Sequence, residues 1–483
     1  MKFILPVLIC ILFGIGLVLI SISIFHPILI WDESRLIVNA IEMSQNKNYF
    51  VTYYEGSPDL WNTKPPLFIW ILVLLIKMFG YSEWVYRILP ISCFFTILYL
   101  VYQFCVKEFN DRIAGILAVL SLFFSIGFNG HHSSMTADYD ILLSLFSILS
   151  FIHYYKFLNK NSSKHLIFSF LFLTFAVLTK GIAGLFMIPG FLLYTIYTKK
   201  LRVLLFTPYL YVSILVFFSI VGGYYFIRES SSKGYLEAVF LNELGGRFNS
   251  TIEEHNHPFY YFIVKFFEKR YFVWFAGLII CSILFRYKKV RDSSINNFFI
   301  FSWFCISTFL IVISSAGTKL SWYDVPIYPV MSLLFGLTFS NIYKWSFNNY
   351  KILSLESFVL VIIIASASFH IVKTYKYLTL NDELERPGKH IKYTTEFYPE
   401  LKSYVYLSNG YNSQLLCYKY ISKLRDNIDI TISDTNRTNL SGLYVSFSDS
   451  NIKSKLILDY GTTFKLKIKS SFGESIFLGS IKK

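Results

Sequence analysis

The sequence predicts an all-α polytopic membrane protein of about 11–13 transmembrane helices. Interfacial helices are expected in its first outer loop, and a small soluble α/β or β domain at its C-terminus. Three observations carry this reading. Of 483 residues, 54% are hydrophobic and only 16% charged, with a mean hydropathy of +0.49; a soluble chain of this length carries more charge. Apolar runs long enough to span recur along most of the chain. Past Tyr375 the pattern changes to short segments that favour β-branched and aromatic residues.

The apolar runs fall at 3–25, 84–106, 113–129, 140–158, 166–180, 181–198, 203–227, 271–285, 297–315, 325–343 and 352–373. The first reads as a retained span, because it is long for the apolar core of a signal peptide. The run LFIWILVLLIKMF at 67–79 is too short to span comfortably and carries Lys77, so it reads as a helix lying in the interface. Charge supports that choice. With 67–79 in the interface, the basic loops around Lys107, Lys156, Lys199, Arg286 and Lys344 all face the cytoplasm. The loops at 31–83, 130–139, 228–270 and 316–324, with the C-terminal region, then face outward. Lys180-Gly181 marks an outer turn or a bend within one helix.

Two parts follow, a membrane domain at 1–374 and a soluble outer domain at 375–483. In the latter, SYVYLS (403–408), IDITIS (428–433), GLYVSFS (442–448) and KLILDY (455–460) read as strands. The formal net charge of +15 is explained by basic cytoplasmic loops, and no soluble basic domain suggests a nucleic-acid partner. Of the six cysteines, all but Cys417 lie in apolar runs and none forms a CxxC pair, so neither a disulfide framework nor a zinc site is indicated.

Charge at an outer membrane boundary is where chemistry is expected, since an ionised side chain costs roughly 2.5 to 3.5 kcal/mol at a bilayer centre. Asp32, Glu33 and Arg35 follow the first span, and Lys64 stands before Pro65-Pro66. Asp138 and Asp140 open the run at 140–158. A fourth group comprises Arg247, the EEHNH cluster from Glu253 to His257, and Lys319 with Tyr323. Basic groups can hold a phosphate leaving group, and a carboxylate can take a proton from an incoming hydroxyl. Each has a plainer reading. Asp32-Glu33 can cap a helix, Lys64 can snorkel to headgroups, and Asp138 reads as an ordinary N-cap. His255, with His257 and a carboxylate, raises a divalent metal ion as a cofactor, against a solvated loop. His131-His132 read as loop residues.

The ordered series DE-x-R, KPPL, D-x-LL-x-LF at Asp140–Phe146, LTKG at Leu178–Gly181, RF at Arg247-Phe248, H-x-x-P at His255–Pro258 and KLSWYDVPIYP at Lys319–Pro329 resembles the GT-C membrane glycosyltransferases. It is most similar to the bacterial branch with lipid A aminoarabinose transferase, related to the protein O-mannosyltransferases. The motifs cover most of residues 1–345.

The resemblance implies an inverting transfer of a hexose or pentose from a polyprenyl-phosphate donor. The acceptor would be a lipid, an envelope glycan or a protein, at the outer face of the inner (plasma) membrane. It implies Asp32 as the main catalytic carboxylate, with Glu33 beside it and Asp140 as the second acidic residue. Arg35, Lys64, Arg247, Lys319 and Tyr323 would bind the donor phosphate, and His255 would be the metal ligand. Two positions depart from the aminoarabinose transferases: Thr63 where they have Glu, and Leu36 where they have Tyr. If the acceptor is itself a phosphate, Asp32 would position it instead of taking a proton. The alternative is a transporter or flippase for lipid-linked sugars. That class more often places charge at mid-membrane with internal repeats, whereas here charge gathers at one face.

Overall fold

The computed structural model describes residues 4–246, 255–287, 293–350, 354–379, 386–408, 413–434, 444–448, 452, 456, 464–469 and 473–478. In chain order the helices are α1 Ile4–Ile24, α2 Asp32–Asn46, α3 Leu67–Phe79, α4 Glu83–Phe109, α5 Arg112–Phe123, α6 Tyr139–Lys160 and α7 Ser163–Lys180. Then come α8 Ile188–Tyr197, α9 Leu201–Leu205, α10 Pro208–Ser231, α11 Tyr235–Val239, α12 Tyr261–Lys265, α13 Phe272–Tyr287 and α14 Ser293–Ser315. Last are α15 Tyr328–Tyr350, α16 Ser354–Thr379, α17 Arg386–Phe397 and α18 Ser413–Asp426. The strands are β1 Tyr53–Tyr54, β2 Ser57–Pro58, β3 Ser403–Leu407, β4 Asp429–Ser433, β5 Tyr444–Phe447, β6 Phe464–Lys469 and β7 Glu474–Leu478. Among the described residues, six helices are long and apolar enough to cross a membrane, or seven if the bent pair at 261–287 is one span. This is a membrane protein.

Two expected spans are shorter than the hydropathy suggests. In the 113–129 run, α5 ends at Phe123, where Asn129 Nδ2 donates to the Phe123 carbonyl and turns the chain. In the 181–198 run, Gly181 takes φ +57, a 3-10 turn follows to Leu185, and α8 has only 10 residues. The left-handed corner favours glycine. The helix α3 is 13 residues long, as the sequence suggests, and Gly80 at φ +79 closes it by donating to Ile76 O.

The chain forms two compact units. Unit 1 comprises Met1–Ser21, Asp59–Phe68 and Leu89–Tyr375. Its interior is aromatic, with Phe151 stacked on Phe301 at 4.6 Å and Tyr154 on Phe191 at 4.5 Å. Helix α15 approaches α5 so closely that a Cβ on Gly336 would collide with the Ala114 carbonyl. Unit 2 comprises Ile22–Pro58, Ile69–Ile88 and Lys376–Lys483, and so joins the segment after α1 to the C-terminal domain. In it the strand order is β4-β3-β5-β7-β6. The strands β4 and β5 pair parallel to β3, while β7 pairs antiparallel to β5 and β6. The domain is therefore α/β. Its core gathers Val405, Leu407, Val445, Phe447, Ile452 and Leu456. Of KLILDY only Leu456 is described, and it is helical. The helix α18 packs on α2, where the Cys417 thiol donates to Ser34 O and Tyr420 OH donates to Glu42.

Candidate active site

In unit 2, Asp32 and Glu33 form the first turn of α2, where carboxylates favour the helix dipole. Trp31 before them holds φ +75, a strained value for a tryptophan. The two carboxylates differ sharply. Asp32 is exposed, whereas Glu33 is buried and held by Arg87 in a fork, Nε to Oε1 at 2.8 Å and Nη2 to Oε2 at 2.7 Å. Glu33 Oε2 also accepts the Leu29 N–H at 2.9 Å. Arg87 spends its other donors on the carbonyls of Ser23, His26 and Pro27. These bonds tie Glu33, at the start of α2, to Arg87 and to Leu29. Arg35 is half-buried and lies over the Tyr54 ring, 4.3 Å from its centroid.

In unit 1, the loop at 59–66 is organised by Asp59, whose carboxylate accepts the N–H groups of Trp61 and Asn62. Asn62 then bonds Tyr139 OH at 3.0 Å, which ties the loop to the start of α6. Tyr139 stands between the two aspartates. Asp138 caps α6 through Tyr139 N at 2.6 Å, and its other oxygen lies 2.6 Å from His132 Nδ1. It is therefore more than the ordinary N-cap its position suggests. Burial pushes the Asp138 carboxyl up, but the His132 ring, Lys180 and the Tyr139 N–H outweigh it and hold it below the usual carboxylate range. His132 stacks face to face on Trp322 at 3.7 Å with φ +54. Asp140 is buried and takes the Lys180 amine on both oxygens at 2.6 Å. Lys180 Nζ lies 5.3 Å from the centroid of the Tyr323 ring.

Trp322 and Tyr323 belong to the 3-10 turn Ser321–Ile327, which is pinned by a buried fork from Arg270 to Asp324 and by Tyr328 OH on the same carboxylate. Lys319 gives its amine to Ala316 O at 2.6 Å and its N–H to His255 O at 3.1 Å. A bridge between Asn256 and Thr318 continues that contact. His257 stacks on Tyr261 at 4.1 Å. Among the described residues, no group of three His, Cys or carboxylate ligands gathers at His255 or His257. Arg247 lies outside the described residues.

Lys64 opens the turn into α3. Its amine lies 3.2 Å from Glu243 Oε1, the oxygen that also accepts Thr63 Oγ1 at 2.8 Å. Pro65 lies against Gly181, beside Lys180. Asp140, Tyr323 and Lys319 therefore share one region of unit 1 with Lys64. Sequence reasoning took His132 for a loop residue and Lys180 for part of a turn and a motif, and did not single out Glu243 or Arg87. The spacing from Asp138 to Asp140 was the available signal for the first. For Glu243, 180 residues from Thr63, the sequence offers none.

A family model described as dolichyl-phosphate-mannose-protein mannosyltransferase matches residues 63–225. An uncharacterised protein of Aquifex aeolicus (strain VF5) is 24% identical over 338 residues, covering 68% of this chain and 61% of its own length. This chain thus spans about three fifths of that relative. Among solved structures, ArnT from Cupriavidus metallidurans bound to undecaprenyl phosphate matches with a TM-score of 0.69 at 14% identity, over 97% of each chain. Its apo state matches with a TM-score of 0.66 at 13% identity, over 98% of each chain. The chain has the GT-C glycosyltransferase fold. Within that class its particular likeness is to ArnT, end to end.

Proposed function

We propose that this protein is an inverting glycosyltransferase that moves a hexose or pentose from a polyprenyl-phosphate donor to a lipid, envelope glycan or protein, at the outer face of the inner membrane. The observation that supports it most is Lys64. It is a cation at the mouth of α3, joined by the Thr63 hydroxyl on one carboxylate oxygen, in a fold whose ArnT relative was crystallised with undecaprenyl phosphate. An ammonium and a hydroxyl that converge on one anionic oxygen can equally hold a phosphate oxygen.

The acceptor oxygen attacks the anomeric carbon as the bond from that carbon to the phosphate oxygen breaks, and the electron pair leaves with polyprenyl phosphate. Lys64 stabilises the charge that grows on the leaving phosphate. Asp32, exposed at the positive end of α2, takes the acceptor hydroxyl's proton. Asp140 acts by fixing Lys180 and through it the Tyr323 turn. Glu33 acts by fixing α2. Arg35, Arg247 and Lys319 are further candidates for the donor.

The test is mass spectrometry of lipids, glycans and proteins from membranes carrying Asp32→Asn or Lys64→Ala at matched expression, against wild type and a deletion. Each variant is expected to cut transfer by about a hundredfold or more, so one species loses a single sugar mass in both variants and in the deletion. If the deletion loses that mass while both variants keep it, the assignment is wrong.

A further inference from the structure

Lys64 is not presented bare. Its amine and the Thr63 hydroxyl both reach Glu243 Oε1, and the side chains of Lys64 and Glu243 are 15% and 17% exposed, so solvent-borne groups can reach the pair. Behind the loop stands a second cation. Arg228, at the last turn of α10, is fully buried, and its Nε and Nη1 donate to no partner among the described residues. It has one long bond from Nη2 to Asp59 O at 3.3 Å and a hydrogen-bond contact with the Tyr224 hydroxyl, and its guanidinium lies 4.5 Å from the centroid of the Tyr235 ring. Tyr235 OH donates to Thr63 O at 2.7 Å, which links Arg228 to the residue before Lys64. Glu229, its sequence neighbour, accepts the N–H groups of Gly234 and Leu236 around the start of α11.

The loop thus carries a partly exposed pair, Lys64 with Glu243, and Arg228 stands buried behind it, linked through Tyr235. We propose that this is an anion site whose internal occupant, the Glu243 carboxylate, exchanges with the phosphate of a polyprenyl-phosphate lipid. The proposal rests on the reading of Lys64 as the donor-phosphate ligand. A donor phosphodiester carries one negative charge and replaces Glu243 one for one. The leaving monoester carries about −1.5 to −2, so Lys64 would hold it more tightly than the diester. Glu243 returning to Lys64 then competes with it and speeds its release. An occupant that blocks the site most of the time weakens apparent binding in proportion, because only the open fraction binds.

The experiment is a titration of the full-length protein in detergent with undecaprenyl phosphate. Undecaprenol serves as the phosphate-free control and inorganic phosphate as competitor. The variants are Glu243→Gln, Glu243→Asp, Lys64→Ala and Glu243→Gln with Arg228→Met, each checked by its melting temperature. Glu243→Gln is expected to tighten undecaprenyl phosphate about five- to tenfold and to leave undecaprenol unchanged. Glu243→Asp falls between, and adding Arg228→Met reverses the gain. A gain mirrored in stronger competition by inorganic phosphate assigns the site to phosphate in general, and a gain confined to the lipid assigns it to the lipid-borne group. If Lys64→Ala loses affinity but Glu243→Gln binds no better than wild type, the exchange is overturned and the donor reading survives. If Lys64→Ala binds like wild type, or wild type binds nothing, both fail.

Discussion

Among the described residues two arginines are fully buried, one in each unit, and they are treated in opposite ways. Arg87 in unit 2 is saturated, with Glu33 gripped in a fork and three carbonyls around the rest of its guanidinium. Arg228 in unit 1 has a ring, one long bond, the Tyr224 hydroxyl and two nitrogens without a partner among the described residues. A buried charge with every donor satisfied is a structural part. A buried charge left incomplete suits a place where a ligand completes it. The largest expected effect breaks the first arrangement. Arg87→Met leaves Glu33 buried without its cation and should cost about 3–5 kcal/mol, read as a lower melting temperature and lost amide protection across α2. Adding Glu33→Gln should recover most of that loss. Equal damage from the double variant would mean that Arg87 works through its carbonyl contacts instead.

The Asp140–Lys180 pair lies between these extremes, buried like Arg87 but, among the described residues, bonded to no cage of carbonyls. Asp140→Asn leaves an ammonium in a dry site and should cost about 3 kcal/mol. The double variant with Lys180→Met should cost less than the single one, because removing both charges also removes their desolvation penalty. Melting curves of the two singles and the double decide it. Additive costs would show that the two groups are not one unit.

How much of this could be read from the sequence divides along the same line. The crossings and the short helix after Pro65-Pro66 follow from run length, which is local. Asp32 and Lys64 stand out because each interrupts an apolar context. What could not be read is pairing. That Arg87, 54 residues away, forks onto Glu33 has no trace in the sequence. Asp138 looks like a plain cap until His132 swings onto it from a left-handed backbone. Hydropathy also overstates α5 and α8. Side-chain caps and the left-handed Gly181 set where those helices stop, and such features carry almost no hydropathy signal.

A smaller effect depends on pH and belongs to unit 2. His390 on α17 is buried, and burial lowers its imidazole to about 4 against a partial upward pull from Glu474. His26 is lowered to about 4 as well, by burial first and then by Arg87 and Lys389. For a histidine held neutral in the fold, the unfolded chain binds the extra proton between 6.5 and 4. Stability is therefore complete above pH 6.5 and is lost as pH falls through that window. Each should cost about 1.4 kcal/mol by pH 5.5. Hydrogen exchange of the full chain at pH 7.5 and 5.5, corrected for intrinsic rates, should show α17 loosening in acid. His390→Leu should flatten that response in α17. If the variant loosens as much as wild type, His390 is not its source.

The smallest stability effect should come from Arg228, and its smallness is informative. Arg228→Met removes a cation from over Tyr235 and from the C-terminal turn of α10, each worth about 0.5–1 kcal/mol. It also removes two buried N–H groups that have no partner among the described residues, whose desolvation cost runs the other way by about 1–3 kcal/mol. The balance should fall within about 1 kcal/mol of zero, several-fold less than for Arg87→Met at equal burial. Melting temperatures of the two variants, measured side by side without lipid, test this directly. A loss at Arg228 as large as at Arg87 would mean that the guanidinium is fully engaged in the resting protein, and the contrast between the two arginines would collapse. A near-neutral melt means that Arg228 is not kept for the stability of the empty protein, and binding to undecaprenyl phosphate is then where its loss should appear.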